Sequence, residues 1–241
     1  MDVRFINEQT IMIYFENKIS EETYRNVTAM VRWIREKEIL EIQDIVPSYR
    51  AVLIYFDEQA ITSSKLIENL ELNKFNEKNV HAVNQTNRII KIPVQYGGTY
   101  GPDIEEVAKH NRITVEQVIE KHTSKPYLIY MLGFMPGLGG LDEQLHTPRR
   151  NQPRLKIHAG SVGIANNQTG LYPSDSPGGW QIIGRTPLKV FSSEREPMSM
   201  YEAGEWIQFY AIDEQKFIQI ERDISDGNFN VDDWVVIENV N

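Results

Sequence analysis

The chain of 241 residues contains no cysteine. Disulfide frameworks, thiolate zinc sites and a cysteine nucleophile are therefore excluded, and the absence fits a reducing compartment. Long apolar runs are also missing. No segment approaches the ~20 apolar residues of a membrane span, and MDVRFINEQTIMIYFENKIS at the N-terminus lacks a basic start followed by an apolar stretch. A cytoplasmic location away from membrane is the expectation. Basic side chains are in the minority, 25 against 34 acids, so the formal charge is -9 and the whole repels nucleic acid and anionic lipid. Several motifs are absent as well: H-E-x-x-H, the G-x-S-x-G elbow, the phosphate loop G-x-x-x-x-G-K-[ST] and the dinucleotide G-x-G-x-x-G. No metal site, prosthetic group or serine nucleophile is expected. What remains is an ordinary globular composition, 41% hydrophobic and 24% charged, long enough for one large domain or two small ones.

Apolar periodicity orders the first part of the chain. Val3 to Phe5 and Ile11 to Phe15 alternate at period two and read as a hairpin or broken strand. Ser20 is a helix N-cap, followed by Tyr24, Val27, Val31 and Ile34 on one helical face. Leu40 to Val46 and Ala51 to Phe56 flank a turn at Pro47 to Tyr49, a second helix starts near Ser63 or Ser64, and polar residues from Asn73 to Asn87 connect to a strand at Arg88 to Val94. Counting that last strand, the order matches a ferredoxin-like split βαβ unit, with a domain boundary near residue 85. The second domain, 86–241, opens with two short helices whose starts, Asp103 with Glu106 and Thr114 with Gln117, have capping-box spacing. From Tyr127 on, short strands are predicted at 127–132, 161–165, 181–183, 188–191, 206–212 and 234–237. Their even spacing suggests a β-barrel, giving an α+β chain.

Ten of the 15 glycines and five of the 11 prolines lie between Gly133 and Gly184, which marks tight loops. Barrel corners alone would account for them. Charge adds a second signal. Between His146 and Val190 stand Arg149, Arg150, Arg154, Lys156, Arg185 and Lys189 against the single acid Asp175. Guanidinium forks and open amides both stabilise carboxylate or phosphate oxygens, so this strip could take a small anion, dock an acidic partner, or simply face solvent. His122 falls at the end of a predicted helix, where the dipole favours an imidazolium; His146 and His158 lie in the strip, and structural roles are the default for all three.

Four segments are familiar: PVQYGGTYGPDIEEVA (Pro93 to Ala108), YMLGFMPG (Tyr130 to Gly137), LGGLDEQLHTPRRNQPR (Leu138 to Arg154) and AGSVGIANNQTGLYPSDSPGGWQIIGRTP (Ala159 to Pro187). In order and spacing they resemble the KipI/PxpB family, the 5-oxoprolinase B subunits, also called allophanate hydrolase subunit 1. The resemblance implies a cyclophilin-like second domain, without prolyl isomerase activity following from the fold. It further implies a component of an ATP-dependent 5-oxoprolinase that converts 5-oxoproline to glutamate with PxpA-type and PxpC-type subunits, ATP being a co-substrate. An unactivated lactam is a poor electrophile, and phosphorylating its oxygen would let it open, so a carboxylate and a phosphoryl group must be held together. On this resemblance Arg149, Arg150, Arg154 and Arg185 are anion ligands, Gln168, Thr169 and Tyr172 shape the pocket, and Gly178 with Gly179 offer backbone amides. Arg154 and His122 are the catalytic candidates, His122 for proton transfer. The family also implies an alternative, a regulator that binds a sensor histidine kinase and blocks its autophosphorylation.

Two departures from the family pattern stand out. Members usually read G-F-x-P-G-F-x-Y-L-G-G-L-D, whereas here Gly137 meets Leu138 directly, shortening the loop by three residues including two aromatics. His158 stands where proline is common, which removes a fixed turn.

Overall fold

A computed structural model describes residues 1–18, 20–76, 86–132, 137–138 and 143–239. The chain divides into two compact units, Met1–Asn84 and Gln85–Asn241. Most of the glycine-rich loop after Met131, including the junction shortened relative to the family, and most of the Asn73 to Asn87 connection lie outside the described residues.

The first unit runs β1 (Asp2–Asn7), β2 (Thr10–Tyr14), α1 (Glu21–Glu36), β3 (Ile42–Pro47), β4 (Ala51–Phe56) and α2 (Ser63–Leu70). Its antiparallel sheet has the order β1-β2-β4-β3. Alternation sets its faces: Ile11 and Ile13 stand opposite Ile54 and Val52, and all four are buried. Val27, Met30, Val31 and Ile34 of α1 and Leu66 and Leu70 of α2 complete that core. Ser20 caps α1, accepting from the Thr23 amide, and Thr62 caps α2, one residue before the expected start.

The strand expected to complete this sheet, Arg88 to Val94, lies in the other unit as β5 (Thr86–Tyr96). Ile89, Ile90, Ile92 and Val94 are all buried, and that run suits a central strand covered on both faces. The N-terminal strand β1 takes the sheet position beside β2 instead.

The second unit continues with α3 (Ile104–Asn111), α4 (Val115–Thr123), β6 (Tyr127–Met131), β7 (Gly137–Leu138), β8 (Arg154–Ile157), β9 (Ser161–Ala165), β10 (Gln168–Leu171), β11 (Ser176–Gly178), β12 (Gln181–Arg185), β13 (Trp206–Ala211), α5 (Glu214–Ser225) and β14 (Val235–Asn239). Eight strands form a sheet in the order β12-β9-β10-β7-β6-β13-β5-β14, in which β12 also meets β5 at Gly184 opposite Tyr96 and Arg185 opposite Gln95. A separate two-stranded ribbon pairs β8 with β11. The architecture is α+β, with several sheets.

Three expectations change here. No strand forms at 188–191. Leu188 and Val190 are buried, but pairing there is limited to one isolated antiparallel bridge, Phe191 opposite Ser199, while the carbonyls of Lys189 and Val190 also accept from the Arg195 guanidinium at 2.9 and 3.1 Å. A helix, α5, stands between the strands expected at 206–212 and 234–237, where no helix was expected; Asp213 caps it and Phe217 and Ile220 bury. The Thr114–Gln117 capping box forms, with both reciprocal bonds present, whereas Asp103 makes no capping bond to α3. Its carboxylate is used elsewhere.

Candidate functional site

Asp103 lies at the end of a loop pressed onto β12. Its amide donates to the Ile182 carbonyl at 2.9 Å, and its carboxylate accepts from the Ile182 amide at 2.7 Å. Gly101 makes this approach possible: a Cβ there would sit 2.0 Å from the Ile183 carbonyl oxygen. With its side chain only 4% exposed, the Asp103 carboxylate needs partners, because an unpaired buried charge is strongly disfavoured. Arg150 Nη1 donates to Oδ1 at 2.7 Å, Arg154 Nη2 to the same oxygen at 2.8 Å, and Arg154 Nη1 to Oδ2 at 2.7 Å. With Ile182 this gives two hydrogen bonds to each oxygen. The Asp103 hydrogen bond raises the Arg154 pKa above its ordinary value.

The arginines reach this carboxylate from the turn before β8 and from β8 itself. Arg154 begins that strand opposite Gly178 of β11, and the Arg150 amide donates to the Gly179 carbonyl at 2.7 Å. Gly178 is needed where it is, since a Cβ would lie 2.3 Å from the Tyr172 hydroxyl oxygen. Tyr172 is buried, and burial raises its pKa against the opposing pull of a Trp180 backbone hydrogen bond and the charges of Arg149 and Arg154. It therefore stays a neutral phenol near neutral pH. Arg149 is exposed and lies 5.6 Å over the Trp180 ring. Arg149, Arg150, Arg154, Tyr172, Gly178 and Gly179 thus gather around Trp180 and Asp103.

Two positive charges share one buried carboxylate, and Arg149 adds a third, so the cluster keeps an excess of positive charge. Among the described residues, Arg150 Nε is buried without a hydrogen-bond partner. Such a site favours a small anion with planar oxygens, since guanidinium forks match that geometry. Asp175, the lone acid of the basic strip, is held by Lys156 Nζ at 2.7 Å and the Ala159 amide at 2.8 Å. The Lys156 hydrogen bond, with that of the Ala159 amide, keeps its pKa below the usual carboxylate value.

Other expected members stand apart. Arg185 faces α5, with Nη2 3.9 Å from Glu221 and its guanidinium 5.8 Å over Phe217. Gln168 is half-buried at the β9–β10 turn, without a contact to the arginine cluster among the described residues. At Gly179 the bond to Arg150 uses the carbonyl, not the expected amide. His158 is exposed, 3.9 Å from Asp175, and His146 is exposed too.

His122 is fully buried against Tyr127 and Phe209 of the main core, while Tyr172 and Trp180 belong to a separate small cluster with Ile157, Ala165 and Ile182. Its Nδ1 lies 2.7 Å from the Tyr96 hydroxyl and its Nε2 2.8 Å from Thr169 Oγ1, which itself donates to the Gly163 carbonyl. Because Thr169 gives its proton to Gly163, it accepts from Nε2–H, and Nδ1 accepts from Tyr96. Desolvation lowers the His122 pKa to about 3, so the expected helix-end imidazolium does not form. With both nitrogens occupied and no exposed edge, His122 is a core hydrogen-bonding group, as is Thr169.

Sequence reasoning finds the arginines but misses Asp103, which it spends on a helix cap. The available signal is the one charged residue in YGGTYGPD, just before a helix and after three glycines.

A family model described as "Carboxyltransferase domain, subdomain C and D" matches residues 1–201. The 5-oxoprolinase B subunit of Bacillus subtilis strain 168 is 38% identical over 234 residues, covering 90% of this chain and 97% of that one. The protein of the same name from Escherichia coli O157:H7 is 35% identical over 207 residues, covering 85% and 93%. The urea carboxylase structure from Kluyveromyces lactis superposes on 98% of this chain and 23% of its own, with a TM-score of 0.77 at 19% identity, a likeness of fold.

Proposed function

We infer the function from one premise, that the chain belongs to the family of 5-oxoprolinase B subunits. On that premise it is the B component of an ATP-dependent 5-oxoprolinase, cleaving 5-oxo-L-proline to L-glutamate in the cytoplasm together with PxpA-type and PxpC-type subunits. ATP is the co-substrate of the complex. The observation that carries this reading is the 38% identity that extends over nearly the whole of a relative bearing that name. The premise also favours two domains, 1–85 and 86–241. The split arrangement of β2, α1 and β3 around β4 supports a ferredoxin-like first domain. A cyclophilin-like second domain is supported by a sheet in which β12 pairs with both β9 and β5.

The chemistry assigns work to the arginine cluster. Lactam opening needs an oxygen activated by phosphorylation, so the site must grip the substrate carboxylate while charge builds on the transferred phosphoryl group. Arg149, Arg150 and Arg154 supply that grip. Arg185 would serve only a more distant part of the bound molecules.

Arg154→Ala is a poor test, because it leaves a buried carboxylate short of partners at a cost of ~3–5 kcal/mol. The exposed Arg149 isolates binding from folding. In the reconstituted complex Arg149→Ala is expected to lower 5-oxoproline-dependent ATP hydrolysis about tenfold or more, with an unchanged melting temperature. Wild-type turnover that does not depend on 5-oxoproline would sink the reading, and binding to a sensor histidine kinase without turnover would replace it.

A further inference from the structure

Asp103 is a buried acid at the centre of a basic cluster, 47 and 51 residues before the arginines it holds. A single guanidinium with a flexible stem samples many directions, and holding two of them at one angle has an entropic cost that must be offset before substrate arrives. Here four hydrogen bonds of 2.7–2.8 Å converge on one carboxylate, itself fixed to Ile182 through both its side chain and its main chain. Arg154 has its two Nη atoms locked to different oxygens of Asp103, so its plane is set. Arg150 shares one of those oxygens, which sets the second guanidinium against the first. Asp103 fills the role that a ligand carboxylate would play on one edge of the pair and leaves the remaining edges pre-aimed.

We propose that Asp103 is a positioning residue: anchored to Ile182 of β12, it holds Arg150 and Arg154 at fixed angles and so creates the fork that receives the substrate's carboxylate. This rests on the 5-oxoprolinase reading and adds to it the residue that sets affinity for the acid end of the substrate. Asp103 does not touch substrate. Loss of its charge frees the guanidiniums, which weakens binding of the carboxylate and leaves the ATP side of the reaction unaltered.

The test uses the complete reconstituted complex and the isosteric change Asp103→Asn, whose amide NH2 opposes the guanidinium donors while keeping the side-chain shape. The expected result is a KM for 5-oxoproline raised about tenfold, roughly one charge-assisted hydrogen bond, with kcat and the KM for ATP within about twofold. If Asp103→Asn does not fold, Asp103→Glu decides, since it keeps the charge and both arginines but its extra methylene shifts the carboxylate and re-aims the two guanidiniums, and the same selective rise in KM is expected. A fall in kcat with unchanged KM in the variant that is measured marks a general structural role and overturns the proposal. Unchanged kinetics overturn it as well. A wild-type complex without 5-oxoproline-dependent turnover instead overturns the underlying functional reading, and the proposal with it.

Discussion

At the scale of single residues, the basic strip and the acid that organises it have different visibility. Arg149, Arg150 and Arg154 are conspicuous because three guanidiniums fall within six positions of an acidic chain. Asp103 gives no such signal, since its spacing from Glu106 equally suits a helix cap, and only folding shows that the arginines take it. Gly101 is tied to the same event. Gly101→Ala would drive a Cβ into the Ile183 carbonyl and the Gly97 amide, backbone atoms that cannot rotate away. A loss of ~3 kcal/mol or more in urea-unfolding free energy is expected, with Asp103 displaced from Ile182. His122 supports a pH prediction whose sign follows from its depressed pKa. The unfolded imidazole binds a proton as pH falls below about 6.5, while the folded one resists until about 3, so stability is full above 6.5 and declines between those values. The slope is about 1.4 kcal/mol per pH unit from this group. Unfolding free energies at pH 7 and pH 5 should therefore differ more in the wild type than in His122→Gln. Equal pH slopes would show that His122 is not held neutral.

At the scale of elements, local rules succeed where one force decides the outcome. Ser20, Thr62 and the Thr114–Gln117 pair cap their helices because a side-chain oxygen and an orphan amide lie within a few residues of each other. Segment 188–191 carries strand-like apolar alternation, yet its pairing stops at a single bridge between Phe191 and Ser199, and the Arg195 side chain takes the Lys189 and Val190 carbonyls. α5 escapes the sequence pattern because its burial is thin, Phe217 and Ile220 alone being fully buried, and it follows directly on a strand. Its start depends on Asp213, which accepts from the Lys216 amide at 2.8 Å. Asp213→Ala should cost about 1 kcal/mol by urea denaturation, and Asp213→Ser should recover most of it. If both variants match the wild type, packing alone fixes the helix. The strand β5 is legible in the sequence but its sheet is not, because strand identity is a local property and pairing is not.

At the scale of the whole molecule, the excess of acids across 241 residues coexists with a strip of opposite sign, and that contrast is plain in the composition. No helix among the described residues is long and apolar enough to cross a membrane. Family membership is legible for the same reason as the strip: long segments with glycine, proline and tryptophan at fixed spacing are rarely matched by chance, and two 5-oxoprolinase B subunits are 38% and 35% identical to this chain over 97% and 93% of their own length. The amino-acid sequence by itself determined the α+β character, the Ser20 and Thr114–Gln117 caps, the basic strip and the family, because these depend on neighbours within a few turns of chain or on residue order. Tertiary structure alone decided which arginines meet, that Arg185 turns to α5 while Arg150 and Arg154 turn to Asp103, and that His122 sits neutral in the core. Those outcomes depend on burial and on pairings across dozens of residues, where desolvation and the need to satisfy a buried charge overrule every local preference.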